Sequence, residues 1–146
     1  MKKVHFVGVY GAGMSALAQF LAMGGGRATG SDRFLDQDKA GDIRVALEAV
    51  GVELFPQDGS GLTSETETVV VSTAIEDDNP ELAKAKSLGI KIVHRADWLA
   101  AIVLEHQTIA VAGTSGKSTV SAMLHTIFES AGRGPSVITG AGLHSL

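Results

Sequence analysis

Residues 113–119, Gly-Thr-Ser-Gly-Lys-Ser-Thr, hold the most concentrated chemistry in the chain. They follow an apolar run and precede a stretch with helical periodicity, the setting of a triphosphate-binding loop. In such a loop the backbone amides of Gly113, Thr114, Ser115 and Gly116 wrap phosphate oxygens. Lys117 reaches the outer phosphates as the catalytic cation, the hydroxyl of Ser118 ligates Mg²⁺, and Thr119 completes the segment. A glycine-rich turn with an exposed lysine is the plainer alternative. A second glycine loop, Gly-Val-Tyr-Gly-Ala-Gly-Met-Ser, lies at 8–15. Gly8 and Gly13 fit a G-x-G-x-x-G dinucleotide fingerprint, but Tyr10 stands where the middle glycine lets the backbone approach a pyrophosphate. Asp32 lies at about the distance of the fingerprint's ribose-binding acid, roughly 20 residues on. These glycines could instead serve close packing of a helix on a strand, with Asp32 a strand-end turn residue.

The elements that must position these loops alternate in type. Short β-branched runs at 2–9, 27–32, 52–55, 66–73 and 90–94 read as strands. Helical stretches lie between them at 13–23, 39–50 and after Asn79, with another at 96–105. Ile43, Ala46, Leu47 and Val50 recur at i, i+3, i+4, i+7. Asn79, Pro80, Glu81 and Gly89 supply an N-cap, a first-turn proline, a dipole-matched acid and a stop. The alternation predicts an α/β fold: a Rossmann-like parallel sheet of about five strands with helices on both faces. A further strand at 107–113, the helix at 117–131 and a short strand at 136–139 read as the start of a second α/β unit, so the expected domains are 1–105 and 106–146.

Bulk properties narrow the class. The chain has 146 residues, 45% hydrophobic and 19% charged, enough for one well-buried domain and part of another. A net charge of −4 argues against general binding to nucleic acid or anionic membranes. The absence of cysteine removes disulfides and thiolate metal sites and fits a cytoplasmic location. The N-terminus resembles a secretory signal in its two lysines and apolar run, but His5, Ser15, Gln19 and a glycine cluster interrupt it. No apolar run reaches the ~20 residues of a membrane span. Nothing in the sequence speaks to oligomeric state.

Four blocks in order give the chain a family resemblance. "HFVGVYGAGMSALA" (5–18) resembles H-F-x-G-x-G-G-x-G-M-S, and "GSD" (30–32) the second-strand ending of the Mur ligase family. "VVVSTAIEDDNPELAKAKSLGIKIVHRADWLA" (69–100) and "TIAVAGTSGKST" (108–119) resemble its next two blocks. The resemblance implies an ATP- and Mg²⁺-dependent ligase of peptidoglycan precursor synthesis with three domains, binding UDP-sugar, ATP and the incoming amine. ATP would activate the lactyl carboxylate of UDP-N-acetylmuramate as an acyl phosphate, which an amino acid or peptide would convert to an amide. Of such an enzyme this chain would be an N-terminal piece, able to bind UDP-sugar without turnover.

Carried onto matching positions, Gly11, Gly13, Met14 and Ser15 would cradle the UDP pyrophosphate and Asp32, with Arg33, would meet the uridine. Ser72, Ala74 and Ile75 would line the same groove, with His94 and Arg95 at its edge. Other readings stay open: Met14 as core, Ser72 and Ala74 as a strand end, His94 as a satisfied strand-end histidine. His5 and His125 read as structural. Tyr10 and Ser115 depart from the family pattern, Ser115 standing where histidine or asparagine is usual. The competing functions are a nicotinamide-dependent oxidoreductase built on the first loop and a nucleotide-binding regulator.

Overall fold

The computed structural model describes residues 3–35 and 41–140. The start of the helix expected from residue 39 lies outside the described residues. The elements in chain order are β1 (Lys3–Val7), α1 (Ala12–Met23), β2 (Arg27–Ser31), α2 (Gly41–Ala49), β3 (Glu53–Phe55), β4 (Thr66–Val71), α3 (Pro80–Ser87), β5 (Lys91–His94), α4 (Arg95–Glu105) and α5 (Lys117–Ser130).

All strand pairs are parallel, in the order β3-β2-β1-β4-β5. The central strand β1 is buried along its whole length, as a strand covered on both faces must be, whereas the edge strands β3 and β5 are partly exposed. Alternation along β1 divides the core. Val4 and Phe6 join Leu17, Ala18, Leu47 and Val70 in one cluster, against which Trp98 and Ile102 of α4 pack. Val7, on the other face, joins Leu62, Val69, Val71, Leu82 and Ala85 beneath α3. The Phe6 and Trp98 rings meet edge to face at 6.4 Å. Among the described residues no helix is long and apolar enough to cross a membrane.

The helices begin in two ways. At α3 the Asn79 side chain accepts the N–H of Glu81 at 2.9 Å, Pro80 opens the helix, and Lys84 and Lys86 face the negative end of its dipole. α2 and α4 carry Asp42 and Asp97 in their first turns. By contrast, α1 and α5 start after glycines, Gly11 and Gly116, with neither a side-chain cap nor an acid in the first turn. Their unpaired first amides remain open to an outside anion.

The strand expected at 107–113 is not formed, and neither is that at 136–139. A strand exists only by pairing, and among the described residues no strand pairs with either segment. Their β-branched composition supplies propensity but no partner. α4 and α5 contain no buried residue, and Leu104, Ile109, Met123 and Ile127 are exposed. Ile138 is the residue of the 136–139 segment that packs on the first cluster.

Candidate functional site

In this order successive strands are added outward from β1 on one side and then, from β4, on the other, and ligands of open α/β sheets bind beyond the strand C-termini at such a switch point. The first glycine loop leaves β1 there. Gly8 takes φ +74°, which ends the strand and turns the chain. The N–H groups of Gly8 and Val9 both donate to the carbonyl of Ser31, at 2.8 and 2.9 Å, and Gly11 N–H donates to Gly8 O at 3.1 Å. Asp32 braces the same loop: its carboxylate accepts Tyr10 N–H and Phe34 N–H, each at 3.0 Å.

Two further groups complete the cradle. The Arg95 guanidinium, from the first turn of α4, occupies the space that a Cβ on Gly13 would need. A cation therefore stands at the open N-terminus of α1, where the helix dipole also favours an anion. From the other side, Ile75 Cδ1 comes to 3.4 Å from where a Cβ on Gly8 would lie. Ile75 is held by its N–H to Ser72 O at 3.2 Å, and Ser72 Oγ accepts Ala74 N–H at 3.4 Å. The fold thus unites Gly8, Gly11, Gly13, Ser72–Ile75 and Arg95, which the sequence holds up to 87 positions apart.

Other expected residues sit differently. Met14 is buried in the first core cluster, so its side chain packs under the loop and only its backbone borders the cradle. Ser15 is also buried, and its hydroxyl accepts Gln19 Nε2–H at 2.9 Å. Asp32 is 6% exposed and already braces two amides, an arrangement unlike that of a free ribose ligand. Arg33 is exposed and stacks over Phe34 at 5.1 Å. Tyr10 is 8% exposed and belongs to the first core cluster, so its bulk lies within the core. Replacement of the middle glycine therefore does not fill the cradle with a ring.

Beside the cradle, a cavity of about 490 Å³ opens between β4, β5 and α3. Ser72, Ile75 and His94 line it, together with Glu76, Asp77 and Lys86, which the sequence reading missed. Glu76 and Asp77 showed in the sequence only as a charged run after a strand, and Lys86 only as a helix-end lysine, both indistinguishable from solvated surface.

The second loop is exposed except at Ser118, which is half-buried. Gly116, at φ +77°, turns the chain into α5, a conformation that favours glycine. Lys117 Nζ donates to the carbonyls of Gly113 at 2.7 Å and Thr114 at 3.3 Å, so the ammonium lies over the loop that would surround a phosphate. Thr139 Oγ1 donates to Ser118 Oγ at 3.3 Å. The loop spaces Gly113 and Gly116 more closely than the common G-x-x-x-x-G-K-[ST] pattern, whose first glycine falls at Val111. Among the described residues no cluster of three His, Cys, Asp or Glu could hold a metal ion. The hydroxyl of Ser118 offers Mg²⁺ an oxygen ligand of the kind this ion takes.

Comparison with known proteins bears on the whole arrangement. The family described as "Mur ligase family, catalytic domain" matches residues 3–107. The UDP-N-acetylmuramate–L-alanine ligase of Carboxydothermus hydrogenoformans is 42% identical over 100% of this chain and 31% of its own length. That of Streptomyces avermitilis is 42% identical over 98% of the chain and 30% of its own length. The chain thus spans about a third of the length of these relatives. Among solved structures, UDP-N-acetylmuramate-alanine ligase from Thermotoga maritima superposes with a TM-score of 0.86 at 28% identity, over 100% of this chain and 33% of that one. The UDP-N-acetylmuramate:L-alanyl-γ-D-glutamyl-meso-diaminopimelate ligase of Neisseria meningitides gives 0.82 at 26% identity, over 100% and 45%. With its parallel sheet, its glycine loop at the switch point and a family match over most of its length, the chain belongs to the Mur ligase family.

Proposed function

We propose that residues 1–105 form a UDP-sugar-binding domain and that 106–146 begin an ATP-binding unit of a cytoplasmic ligase acting on UDP-N-acetylmuramate. The observation that carries this reading is the cradle at the switch point, where Arg95 meets the uncapped N-terminus of α1. One cation, the uncapped start of α1 and a glycine floor suit a diphosphate. The cavity beside it, with Ser72, Ile75 and His94 in its wall, offers room for part of the attached nucleoside or sugar.

The second loop fits a nucleotide triphosphate by its backbone turn at Gly116 and by Lys117, with Ser118 toward Mg²⁺. Bound there, ATP and Mg²⁺ would supply phosphoryl transfer to the lactyl carboxylate, after which an amino acid or peptide amine displaces phosphate to leave an amide. The residues of this chain bind and orient: Lys117 leaves its carbonyl contacts to meet the phosphates, and Gly113–Gly116 present their amides.

A nicotinamide dinucleotide fits less well, because Asp32 is buried and its carboxylate braces Tyr10 and Phe34 amides. Calorimetric titration of the chain with UDP, UDP-N-acetylmuramate and NADH separates the two. Saturable heat with the uridine nucleotides and none with NADH is expected. A folded sample that binds NADH, or neither uridine nucleotide, overturns the reading.

A further inference from the structure

Four polar side chains meet in the interior on the α3 side of the sheet. His5 of β1, Thr29 and Ser31 of β2, and Glu81 of α3 are each at most 2% exposed. His5 Nδ1 lies 2.8 Å from Thr29 Oγ1, and its Nε2 lies 3.3 Å from Ser31 Oγ and 3.2 Å from Glu81 Oε1. The Ser31 hydroxyl donates to Glu81 Oε2 at 2.5 Å. Gly61 closes the cluster from the loop before β4, since a Cβ there would come to 2.7 Å from His5 Cε1.

Serine, histidine and a carboxylate are the ingredients of a nucleophilic triad, but their arrangement here excludes that role. In a triad the two histidine nitrogens serve different partners. Here Nε2 faces both Ser31 and Glu81, and the serine proton goes to the carboxylate. No substrate reaches groups this buried.

A buried carboxylate is costly unless its oxygens are hydrogen-bonded, and apolar packing often stabilises a fold as well. What this cluster supplies is geometry at one place. Ser31 ends β2, and its carbonyl is the shared acceptor for the N–H groups of Gly8 and Val9. The next residue, Asp32, holds Tyr10 N–H. The main-chain amides of Gly8, Val9 and Tyr10 are thus all anchored at the strand end that Glu81 grips. Glu81 itself is fixed by the Asn79 cap, in the segment that follows Ile75.

We propose that Glu81, acting through Ser31 and His5, is a positioning residue for the glycine loop, tying the first turn of α3 to the diphosphate cradle. The proposal rests on the reading of that cradle as a uridine-diphosphate site. Its test uses the 146-residue chain, labelled with ¹⁵N, and its Glu81→Gln, Ser31→Ala and Ala85→Gly variants. Glu81→Gln keeps the shape of the side chain should Ser31→Ala not fold. Ala85→Gly weakens the same helix from within the apolar core, at a residue outside both the cluster and the cavity beside the cradle.

Two quantities are read: amide exchange at Gly8 and Val9 relative to the β4 amides, and calorimetric affinity for UDP. Losing one buried hydrogen bond at the strand end should speed the relative exchange about tenfold and weaken UDP about tenfold in Glu81→Gln and Ser31→Ala. In Ala85→Gly the melting temperature should fall with both quantities unchanged. Wild-type relative exchange in a folded Glu81→Gln or Ser31→Ala overturns the proposal. So does unaltered UDP affinity in those variants, or equal loosening in Ala85→Gly. A wild-type chain that binds no UDP defeats the nucleotide reading instead, while the exchange comparison still decides whether Glu81 positions the loop.

Discussion

Gly13 and Gly30 border the same loop but face opposite neighbours. A methyl on Gly30 would lie 2.7 Å from Val9 Cβ and under 3 Å from both its γ-carbons. Val9 is β-branched, buried and tied to Ser31 by its amide, so it cannot yield without moving the loop. A methyl on Gly13 would meet the tip of Arg95, the flexible end of an exposed side chain. Gly30→Ala should therefore lower stability by about 1–3 kcal/mol in urea denaturation, the usual cost of overpacking. Gly13→Ala should fold as stably as the parent, or up to about 1 kcal/mol more so from helix propensity. Its UDP affinity should nevertheless fall, because Arg95 is pushed from the cradle. Unchanged calorimetric affinity in Gly13→Ala would remove Arg95 from the site.

At the scale of elements, helix starts separate scaffold from site. α3 has a side-chain cap and an acid in its first turn, and it anchors the polar cluster around His5. Asn79→Ala should cost about 1 kcal/mol of unfolding free energy, measured by thermal or urea unfolding. A loss well under half of that would mean that the buried Glu81, not the cap, holds the turn. α1 and α5 lack both devices, and both follow glycine loops. The sequence already contained this contrast: Asn79-Pro80-Glu81 is legible as a helix start, as are the two glycine loops. Helix boundaries within the described residues consequently fall close to expectation, 96–105 against Arg95–Glu105 and 117–131 against Lys117–Ser130. In the loop that packs on His5, Asp58 accepts Ser60 N–H at 2.8 Å, and contacts with Ser60 hold its carboxyl below the ordinary value.

In the whole molecule, burial is concentrated in the five-stranded sheet with α1, α2 and α3, while α4 and α5 bury no residue completely. Amide exchange should accordingly be fastest in α5 and the 107–116 segment and slowest in β1 and β4. A ligand confined to the switch-point cradle should protect the sheet as a unit. UDP at a hundred times its dissociation constant should raise unfolding free energy by about 2.7 kcal/mol, seen as a higher urea midpoint. The single tryptophan, Trp98, packs on Phe6 three residues from Arg95 and gives that transition an intrinsic fluorescence signal. A midpoint unmoved by saturating UDP would count against the cradle.

The sequence by itself determined the elements of the five-stranded unit and the two glycine loops, because apolar runs, helix punctuation and glycine spacing are local properties. It also carried the family, through four blocks whose order survives without any fold. Only the tertiary structure decided which of these residues meet. Arg95 reaches Gly13, Ile75 covers Gly8 and Asp32 braces Tyr10 because the parallel order brings strand ends together across long stretches of chain. Met14 and Tyr10 lie in the core because side-chain direction depends on how α1 sits on the sheet. The apolar run at 107–113 remains unpaired among the described residues because a strand is a property of its neighbours, and propensity alone supplies none.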